Sequence, residues 1–383
     1  KKSKSLFICY EKSVNSGFVD KIILSAHKVG IRDIYLYDNN LYLKHDVLLK
    51  SPVEEIENNS LFNCECWNEY AKKNASFLII ESELPGLMQD IDPEKINKMS
   101  EVQRKTKLIF KEKELIDAIP WCICAYPNEI WAKDLFGEIT DAYQKLYNLI
   151  MDMCMINNDS RHSWLEYIDL TAQRITKLND LEIESLHYYN SLGTDLTLKM
   201  PINSLWVGVN YEKEMLVNMP SYEIFSSPYK YGTEGIVYSS KPLIYNGREI
   251  TDFWLKFKDG KVIDFDAKKG KDILKGIIES DKNAIYLGEV SLVNYDSPIS
   301  KTNLVYKTTL FDENAACHLA LGASFPECIK NGEEMSKEAL ENIGLNYADN
   351  HVDFMVGTKD LTIEATTKKG KILLFKDGNF SDL

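Results

Sequence analysis

The sequence contains no hydrophobic run that approaches the roughly 20 apolar residues needed to span a bilayer. Its basic opening, KKSKS, is followed by an apolar stretch that is far too short for a secretory signal. Positive charge is scarce as well, because 45 Lys and Arg stand against 58 Asp and Glu, a formal net charge of −13. Nucleic acids and anionic membranes both require a basic protein surface. We therefore expect neither of them as a partner.

Several short motifs are also absent. The chain lacks the phosphate-cradling patterns G-x-G-x-x-G and G-x-x-x-x-G-K-[ST], which argues against a Rossmann-type or P-loop nucleotide site. It lacks the G-x-S-x-G elbow of serine hydrolases and the H-E-x-x-H helix of zinc proteases. Hydrolytic chemistry of those two kinds is therefore not expected.

The eight cysteines include no C-x₂-C pair, and a disulfide framework is not indicated in so long a chain. We therefore expect a reducing cytoplasm. The C-x-C pairs Cys64/Cys66 and Cys122/Cys124 are predicted to lie on strands, where alternation turns both members of a pair to one face. Cys317 precedes His318 on a predicted helix, where consecutive side chains diverge by about 100°. A cysteine nucleophile is accordingly not expected.

The first half of the chain alternates helical and strand-like segments. The predicted helices are Phe18–Gly30, Pro93–Glu114 and Glu129–Met155, and the predicted strands are Ile34–Tyr37, Ser76–Ile80 and Pro120–Tyr126. Such alternation indicates an α/β domain with an open, mostly parallel sheet and flanking helices.

After about Asn179 short alternating strands appear, and we predict a mixed, strand-rich α+β domain there. The predicted strands are Asp195–Met200, Leu205–Val209, Phe253–Lys258 and Val262–Phe265, the last two flanking the hairpin signal Asp259-Gly260. The predicted helices are Lys271–Ser280, one beginning near Asn314, and Lys337–Ile343. Because 383 residues are too many for one ordinary core, we predict an N-terminal domain at 1–180 and a C-terminal, metal-binding catalytic domain at 181–383.

Histidine is rare, yet two of the six histidines lie in short segments rich in carboxylates, FDENAACHLAL and HVDFMVG. The candidate metal ligands of the second half are Glu223, Glu289, Glu313, His318, His351 and Asp353. Two imidazoles and four carboxylates are the ligands that a pair of small divalent cations prefers. The cluster therefore indicates hydrolytic metal chemistry.

Local spacing supports some of these residues. His351 and Asp353 are two apart in a β-rich run, so a strand would turn both to one face. Glu313 and His318 are five residues apart, so on a continuous helix their side chains would point about 140° away from each other. Both can reach one site only if Glu313 lies at the start of the helix, with Asp312 or Asn314 as the N-cap. The alternatives are a surface His–Asp pair on an edge strand, and an acidic first turn with a packed histidine.

Glu289 lies in AIYLGEVSLV, a run typical of a core strand, where a carboxylate is costly unless it is paired or metal-bound. Glu223 follows the turn-like sequence MPSY, and its alternative interpretation is a solvated acid.

Four stretches together resemble the thermophilic metalloaminopeptidase family that includes aminopeptidase T and aminopeptidase S. These stretches are NMPSYEIFSSP, YLGEVSLVNYDSPIS, TLFDENAACHLALG and HVDFMVGTKDL. Similarity extends upstream through AYPNEIWA and GTDLTL and weakens before about residue 110.

The resemblance implies a hydrolase that removes single residues from peptide N-termini with two divalent ions, which are zinc, cobalt, manganese or magnesium. The family's ligands map onto the six residues above. The resemblance also implies an N-terminal α/β domain, a C-terminal catalytic domain, peptide substrates and a homodimer. In the expected mechanism the two ions activate a bridging hydroxide, and Glu223 moves the proton to the leaving amine.

The chain departs from the family pattern at Phe325, where the family has a tyrosine implicated in catalysis. Phenylalanine preserves the ring but cannot donate a hydrogen bond to an oxyanion. Losing one such donor typically costs about 10²–10³ in turnover. The alternative function is therefore a weakly active or inactive metal-binding paralogue that acts as a peptide-binding protein.

Overall fold

Helices and strands alternate through the first half of the chain in a computed structural model, which describes residues 3–156, 158–209 and 216–381. The helices are α1 (Ser16–Lys28), α2 (Leu41–Lys50), α3 (Val53–Ile56), α4 (Glu65–Lys72), α5 (Pro93–Thr106), α6 (Leu108–Leu115), α7 (Glu129–Phe136), α8 (Ala142–Met153), α9 (Ser160–Asp180), α10 (Lys271–Ile278), α11 (Thr309–Asp312) and α12 (Lys337–Asn342).

The strands are β1 (Ser5–Tyr10), β2 (Asp33–Asp38), β3 (Ser76–Glu81), β4 (Trp121–Ala125), β5 (Ile183–Tyr189), β6 (Asp195–Lys199), β7 (Val207–Gly208), β8 (Asn218–Met219), β9 (Ile224–Ser226), β10 (Glu234–Tyr238), β11 (Leu243–Tyr245), β12 (Arg248–Lys258), β13 (Lys261–Lys269), β14 (Leu287–Leu292), β15 (His318–Gly322), β16 (His351–Met355), β17 (Thr362–Thr367), β18 (Gly370–Lys376) and β19 (Asn379–Phe380).

Contacts divide the chain into two compact units. The first comprises the described residues of Lys1–Cys154 together with those of Met215–Met219 and Asn246–Arg248, and the second comprises the rest. Helix α9 belongs to the second unit. The domain boundary at 180/181 stays a prediction. In the ranges described, no helix is both long and apolar enough to pass through a bilayer.

The first unit contains a parallel sheet in the strand order β2-β1-β3-β4-β8. Alternate residues of β1 pack against different helices. Phe7 lies in a core cluster with Trp67 of α4 and Phe110 of α6, whereas Ile8 lies in a cluster with Val19 of α1. Both faces of the sheet are therefore covered by helices, which confirms the predicted α/β class for this half.

The second unit contains a nine-stranded sheet, β11-β12-β10-β6-β5-β17-β18-β19 with β13 paired to β12. The predicted hairpin joins β12 to β13. Its turn residues Asp259 and Gly260 both have positive φ, 50° and 79°, as a two-residue hairpin turn requires. A side chain at Gly260 would also clash, because a Cβ there would lie 1.9 Å from the carbonyl oxygen of Lys230.

A smaller antiparallel sheet in the second unit has the order β16-β15-β14-β9-β7, and we call it the small sheet. One of its faces packs into the main core of the unit. The core residues on that face are Ile224, Val290, Leu292, Leu319, Leu321, Val352 and Phe354. Because strand side chains alternate, the intervening residues lie on the opposite face.

The predicted helix Glu129–Met155 was wrong as one element. It is divided into α7 and α8, because Gly137 follows the end of α7 with φ 77°. The pair Cys122/Cys124 lies on β4 as predicted, but Cys64/Cys66 does not lie on a strand: Cys64 is the N-cap of α4.

The helix predicted to begin near Asn314 and to include His318 was also wrong. Helix α11 ends at Asp312, one 3₁₀ turn spans Glu313–Ala315, and His318 is the first residue of β15. All five residues of β15 are buried, so its near-continuous apolar sequence carries no alternation. A short apolar run of this kind cannot be distinguished from a buried helix by periodicity alone.

Candidate metal centre

The register of the small sheet brings the predicted ligands to one face. Directly opposite residues of antiparallel strands point to the same side. Ala320 lies opposite Glu289 on β14 and opposite Asp353 on β16. The residues on this side, which we call the ligand face, are Phe225, Glu289, Ser291, His318, Ala320, His351, Asp353 and Met355. Glu223 directly precedes β9 and reaches the same place.

Two groups of possible ligands share one carboxylate. Glu223, Glu289 and His318 form the first group, and Glu289, His351 and Asp353 form the second. Within each group, one ligand atom per residue lies within 4.8 Å of the others. The shared residue, Glu289, is 4% exposed.

The two oxygens of Glu289 face different imidazoles. Its Oε1 is 3.9 Å from Nε2 of His318, and its Oε2 is 2.9 Å from Nε2 of His351. Oε2 of Glu223 is 3.1 Å from Nε2 of His318, and Oδ1 of Asp353 is 3.2 Å from Nε2 of His351. Glu289 therefore presents one oxygen to each of the two groups of possible ligands.

Both histidines are oriented by backbone carbonyls. Nδ1 of His318 is 3.2 Å from the carbonyl oxygen of Ala316, and Nδ1 of His351 is 2.8 Å from that of Ala323. A ring that donates its Nδ1–H to a carbonyl presents Nε2 to the site, as metal-binding histidines usually do. The imidazole orientation therefore suits coordination through Nε2.

Buried polar side chains hold the first group in place. Ser291 Oγ donates to Glu223 Oε2 at 3.0 Å. Asn314, which has no exposed surface, accepts from the backbone N–H of Tyr222 at 2.6 Å and donates to Glu313 Oε1 at 3.3 Å. The side chain of Asn314 thus ties the segment that carries Glu223 to the carboxylate of Glu313.

Glu313 lies beside the two groups rather than within either. Burial raises the pKa of its carboxyl well above the usual range, and the charges of Asp353 and Glu223 raise it further. A carboxyl that senses these two charges lies near both. The structure therefore brings all six predicted residues into one region, with Glu313 at its margin.

Burial and mutual charge shift the pKa values of the candidate ligands. Burial raises the pKa of Glu289 to about 7, although the hydrogen bond with His351 opposes the shift. Burial lowers the pKa of His318, but the hydrogen bond to Glu223 and the charges of Glu223 and Glu289 outweigh it and raise the pKa to about 10. For His351 too, Asp353 and Glu289 outweigh burial and raise the pKa.

Two further observations fit the binding of cations. The Oδ1 atom of Asp353 is buried and receives no hydrogen bond of regular geometry from any described residue, although the His351 imidazole approaches it, with Nε2 3.2 Å away. A cation bound there would satisfy this oxygen. Ala320 lies between Glu289 and Asp353 on the ligand face. The side chain between the two carboxylates is therefore only a methyl group. The donor set therefore has both the charge and the room for divalent ions.

Phe325, which the sequence comparison with the family predicts to replace a tyrosine, lies against the second group. Its ring centroid is 4.9 Å from that of His351 and 5.5 Å from that of Phe225. Its backbone N–H donates to Ser227 Oγ at 3.0 Å. The ring therefore occupies a fixed place next to a candidate ligand.

The thiol of Cys317 is buried and hydrogen-bonded to the backbone. Its Sγ donates to the carbonyl oxygen of Val293 at 3.3 Å and accepts from the Val293 N–H at 3.4 Å. Burial raises the pKa of the thiol to about 12. Such a group supplies almost no thiolate at neutral pH.

Sequence reasoning missed Ser291, Asn314 and Ala320. Ser291 had a usable signal, because it is two residues after Glu289 on a predicted strand and must share its face. The roles of Asn314 and Ala320 depend on contacts between distant segments, for which the sequence offers no local signal.

We expect the metal-free protein to become less stable as pH rises from 5 to 9. The folded pKa values of Glu289 and His318, about 7 and about 10, exceed the ordinary values of 4.5 and 6.5. The folded state therefore binds more protons than the unfolded chain across this window, and the free energy of unfolding falls with pH. Asp353, whose pKa is lowered, acts in the opposite direction but below the window. Thermal unfolding of the metal-free protein should show a fall in Tm of about 5 °C or more.

The matched controls are the metal-loaded protein and Glu289→Gln. Bound cations displace these protons, so the loaded protein should lose most of this pH dependence, and Glu289→Gln should lose the part between pH 5 and 7. If the Tm of the metal-free protein were constant or rose with pH, the raised pKa values given for Glu289 and His318 would be contradicted.

Comparison with known proteins gives a consistent result. The family model described as thermophilic metalloprotease (M29) matches residues 1–380. Aminopeptidase 2 of Geobacillus stearothermophilus is 35% identical over 371 residues, which cover 95% of this chain and 90% of that protein. Aminopeptidase AmpS of Bacillus subtilis (strain 168) is 34% identical over 375 residues, with the same coverage of 95% and 90%. The solved structure of wild-type AmpT from Thermus thermophilus matches with a TM-score of 0.88 and 25% identity, covering 99% of this chain and 94% of that one.

Proposed function

Because the chain belongs to the thermophilic metalloprotease (M29) family, we propose that it is a two-metal aminopeptidase that removes single residues from peptide N-termini. The relatives named above are aminopeptidases, which supports this substrate class. The observation that carries the proposal is the pair of three-residue ligand groups that share Glu289. One ion would need only one group, whereas two groups joined by a carboxylate fit two adjacent ions.

The proposed ligands of one ion are Glu223, Glu289 and His318, and those of the other are Glu289, His351 and Asp353. Glu313 is proposed as a further ligand, because a cation nearby would favour the ionised form of its buried carboxyl. A set of carboxylates with two imidazoles accepts zinc, cobalt, manganese or magnesium.

When bound, the two ions would polarise the scissile carbonyl and lower the pKa of a water molecule between them. Glu223 is the proposed general base that takes the proton from this water and delivers it to the leaving amine. Ser291 and His318 both contact its Oε2, which leaves Oε1 to carry the proton. The hydrogen bond from Ser291 also restrains the carboxylate of Glu223.

Exopeptidase selectivity requires that the substrate's free α-amine docks beside the scissile carbonyl. A homodimer, implied by the family resemblance, is part of the proposal, as is a reducing cytoplasmic location, which suits eight free cysteines.

The proposal is tested by chelation. Purified protein should hydrolyse a leucyl or arginyl anilide, and exhaustive chelation should reduce both the bound metal and the turnover to a few per cent of their starting values. Readdition of zinc, cobalt, manganese or magnesium should restore the turnover. Blocking the substrate's α-amine by acetylation should abolish cleavage, which separates an aminopeptidase from an endopeptidase. Retained turnover after the metal has been removed would exclude the mechanism.

A further inference from the structure

Two phenylalanine rings lie beside the ligand groups without a role in them. Phe225 is two residues after Glu223, and on β9 its side chain shares the ligand face with Ser291, its direct partner on β14. Phe325 lies between Phe225 and His351, with ring centroids 5.5 Å and 4.9 Å away. The two rings therefore form a continuous aromatic surface, the Phe225–Phe325 pair, that begins at a candidate metal ligand.

This surface is accessible and its shape is fixed. Both side chains are half-buried, unlike the fully buried Phe354 and Phe311 of the core. Phe325 is held through its backbone by Ser227, and Phe225 is held by strand pairing on both sides. Val207, also half-buried, lies opposite Phe225 on β7 and extends the apolar surface away from the ligands. A rigid, partly exposed apolar surface next to a reaction centre suits an apolar group of the substrate.

We infer that the Phe225–Phe325 pair forms the subsite for the side chain of the substrate's first residue, and that the enzyme prefers peptides with a large apolar N-terminal residue. The inference rests on the proposed function, and it adds the substrate class. In an N-terminal residue the side chain branches from the carbon next to the scissile carbonyl. With that carbonyl at the ligand groups, the side chain lies within reach of the Phe325 ring, which contacts His351, and of the adjacent Phe225 ring.

The apolar character of the Phe225–Phe325 pair favours some side chains of the substrate's first residue over others. A leucine or phenylalanine side chain would remove ring surface and its own surface from water, which is favourable in proportion to the area buried. Alanine would bury little. A glutamate side chain would place its charge against apolar rings, which is unfavourable. Lysine and arginine would gain only the weak attraction of a cation for a phenylalanine face.

The test compares kcat/KM of the metal-loaded protein for anilides of Leu, Phe, Ala, Arg and Glu. Leu and Phe should exceed Ala by tenfold or more, which is the discrimination that a few buried methylenes supply. They should also exceed Arg and Glu. In the variant Phe225→Ala, kcat/KM for the leucyl anilide divided by kcat/KM for the alanyl anilide should fall at least about fivefold, mainly through KM. The metal content of the variant should equal that of wild type. Phe225→Leu retains an apolar side chain and should keep most of the ratio, which guards against a folding defect in Phe225→Ala.

The matched control is Tyr189→Ala, which removes a half-exposed aromatic ring from β5 in the nine-stranded sheet. It should leave the Leu to Ala ratio unchanged. Equal rates for Leu and Ala, a preference for Arg, or an unchanged ratio in Phe225→Ala would each overturn the subsite while leaving the aminopeptidase proposal intact. Absence of any hydrolysis by the metal-loaded wild type would overturn both.

Discussion

Glu289→Gln is expected to lower kcat/KM by at least about 10³-fold and to release both metal ions. Glu289 is the residue common to the two ligand groups, with one oxygen towards His318 and the other towards His351. Glutamine has nearly the same shape but only one acceptor oxygen and no charge. It therefore weakens two sites at once. The measurement is metal per chain after dialysis, together with anilide turnover at saturating metal.

Asp353→Asn is the informative comparison, because Asp353 belongs to the second group alone. It should release one ion and retain the other. Glu364→Gln on β17, a half-buried strand carboxylate of the nine-stranded sheet, is the control and should retain both. If Glu289→Gln lost only one ion, the shared carboxylate would not be a bridge.

Phe325→Tyr is expected to raise turnover by about 10²-fold. The phenylalanine ring already lies 4.9 Å from the His351 ring, so a tyrosine there would add a hydroxyl beside the second ligand group without a new backbone position. A hydrogen-bond donor at the developing oxyanion stabilises the transition state more than the bound substrate, so the gain should appear in kcat. Steady-state kinetics of wild type and variant at equal metal content measure it.

Phe265→Tyr is the matched control, since it adds the same hydroxyl to a half-buried ring on β13 of the nine-stranded sheet. It should give no comparable gain. A gain in Phe325→Tyr from a very low starting rate would mean that the native chain is a weak enzyme. No gain would mean that the family hydroxyl is dispensable here. The relatives reported above are named aminopeptidases, and none of them supports a peptide-binding paralogue.

Much of the architecture could be predicted from the sequence. The alternation of helical and β-rich segments gave the parallel sheet, and the Asp259-Gly260 turn gave the hairpin of β12 and β13. The family resemblance is confirmed over nearly the whole chain. Such features are local or statistical, so a single sequence carries them.

The wrong secondary-structure prediction for β15 concerns a segment whose sequence pattern does not reveal how it is buried. The segment His318–Gly322 is buried on both faces, so β15 shows no alternation and was predicted as a helix. On the strand, His318 reaches the ligand face because Ser291 is its direct partner, and Glu313 need not lie at a helix start.

The candidate site was predictable as a set of residues but not as an arrangement. The strand spacing of His351 and Asp353 anticipated their common face. The bridging position of Glu289 and the bond from Asn314 to the Tyr222 backbone depend on register between distant strands. Composition and periodicity do not encode that register. The assignment of the six residues as metal ligands stays a prediction.

The positions of the candidate ligands on and beside the small sheet determine how ion binding is coupled to folding. The six candidate ligands come from three of its strands and from the segments that hold Glu223 and Glu313, and no short segment carries more than two of them. The unfolded chain therefore lacks the assembled set of candidate ligands, and ion binding would be coupled mainly to the native state. By linkage, an ion at 100 times its Kd would add about 2.7 kcal/mol to the free energy of unfolding. Melting temperatures recorded with different ions would then rank the affinities of the protein for them, with no substrate present.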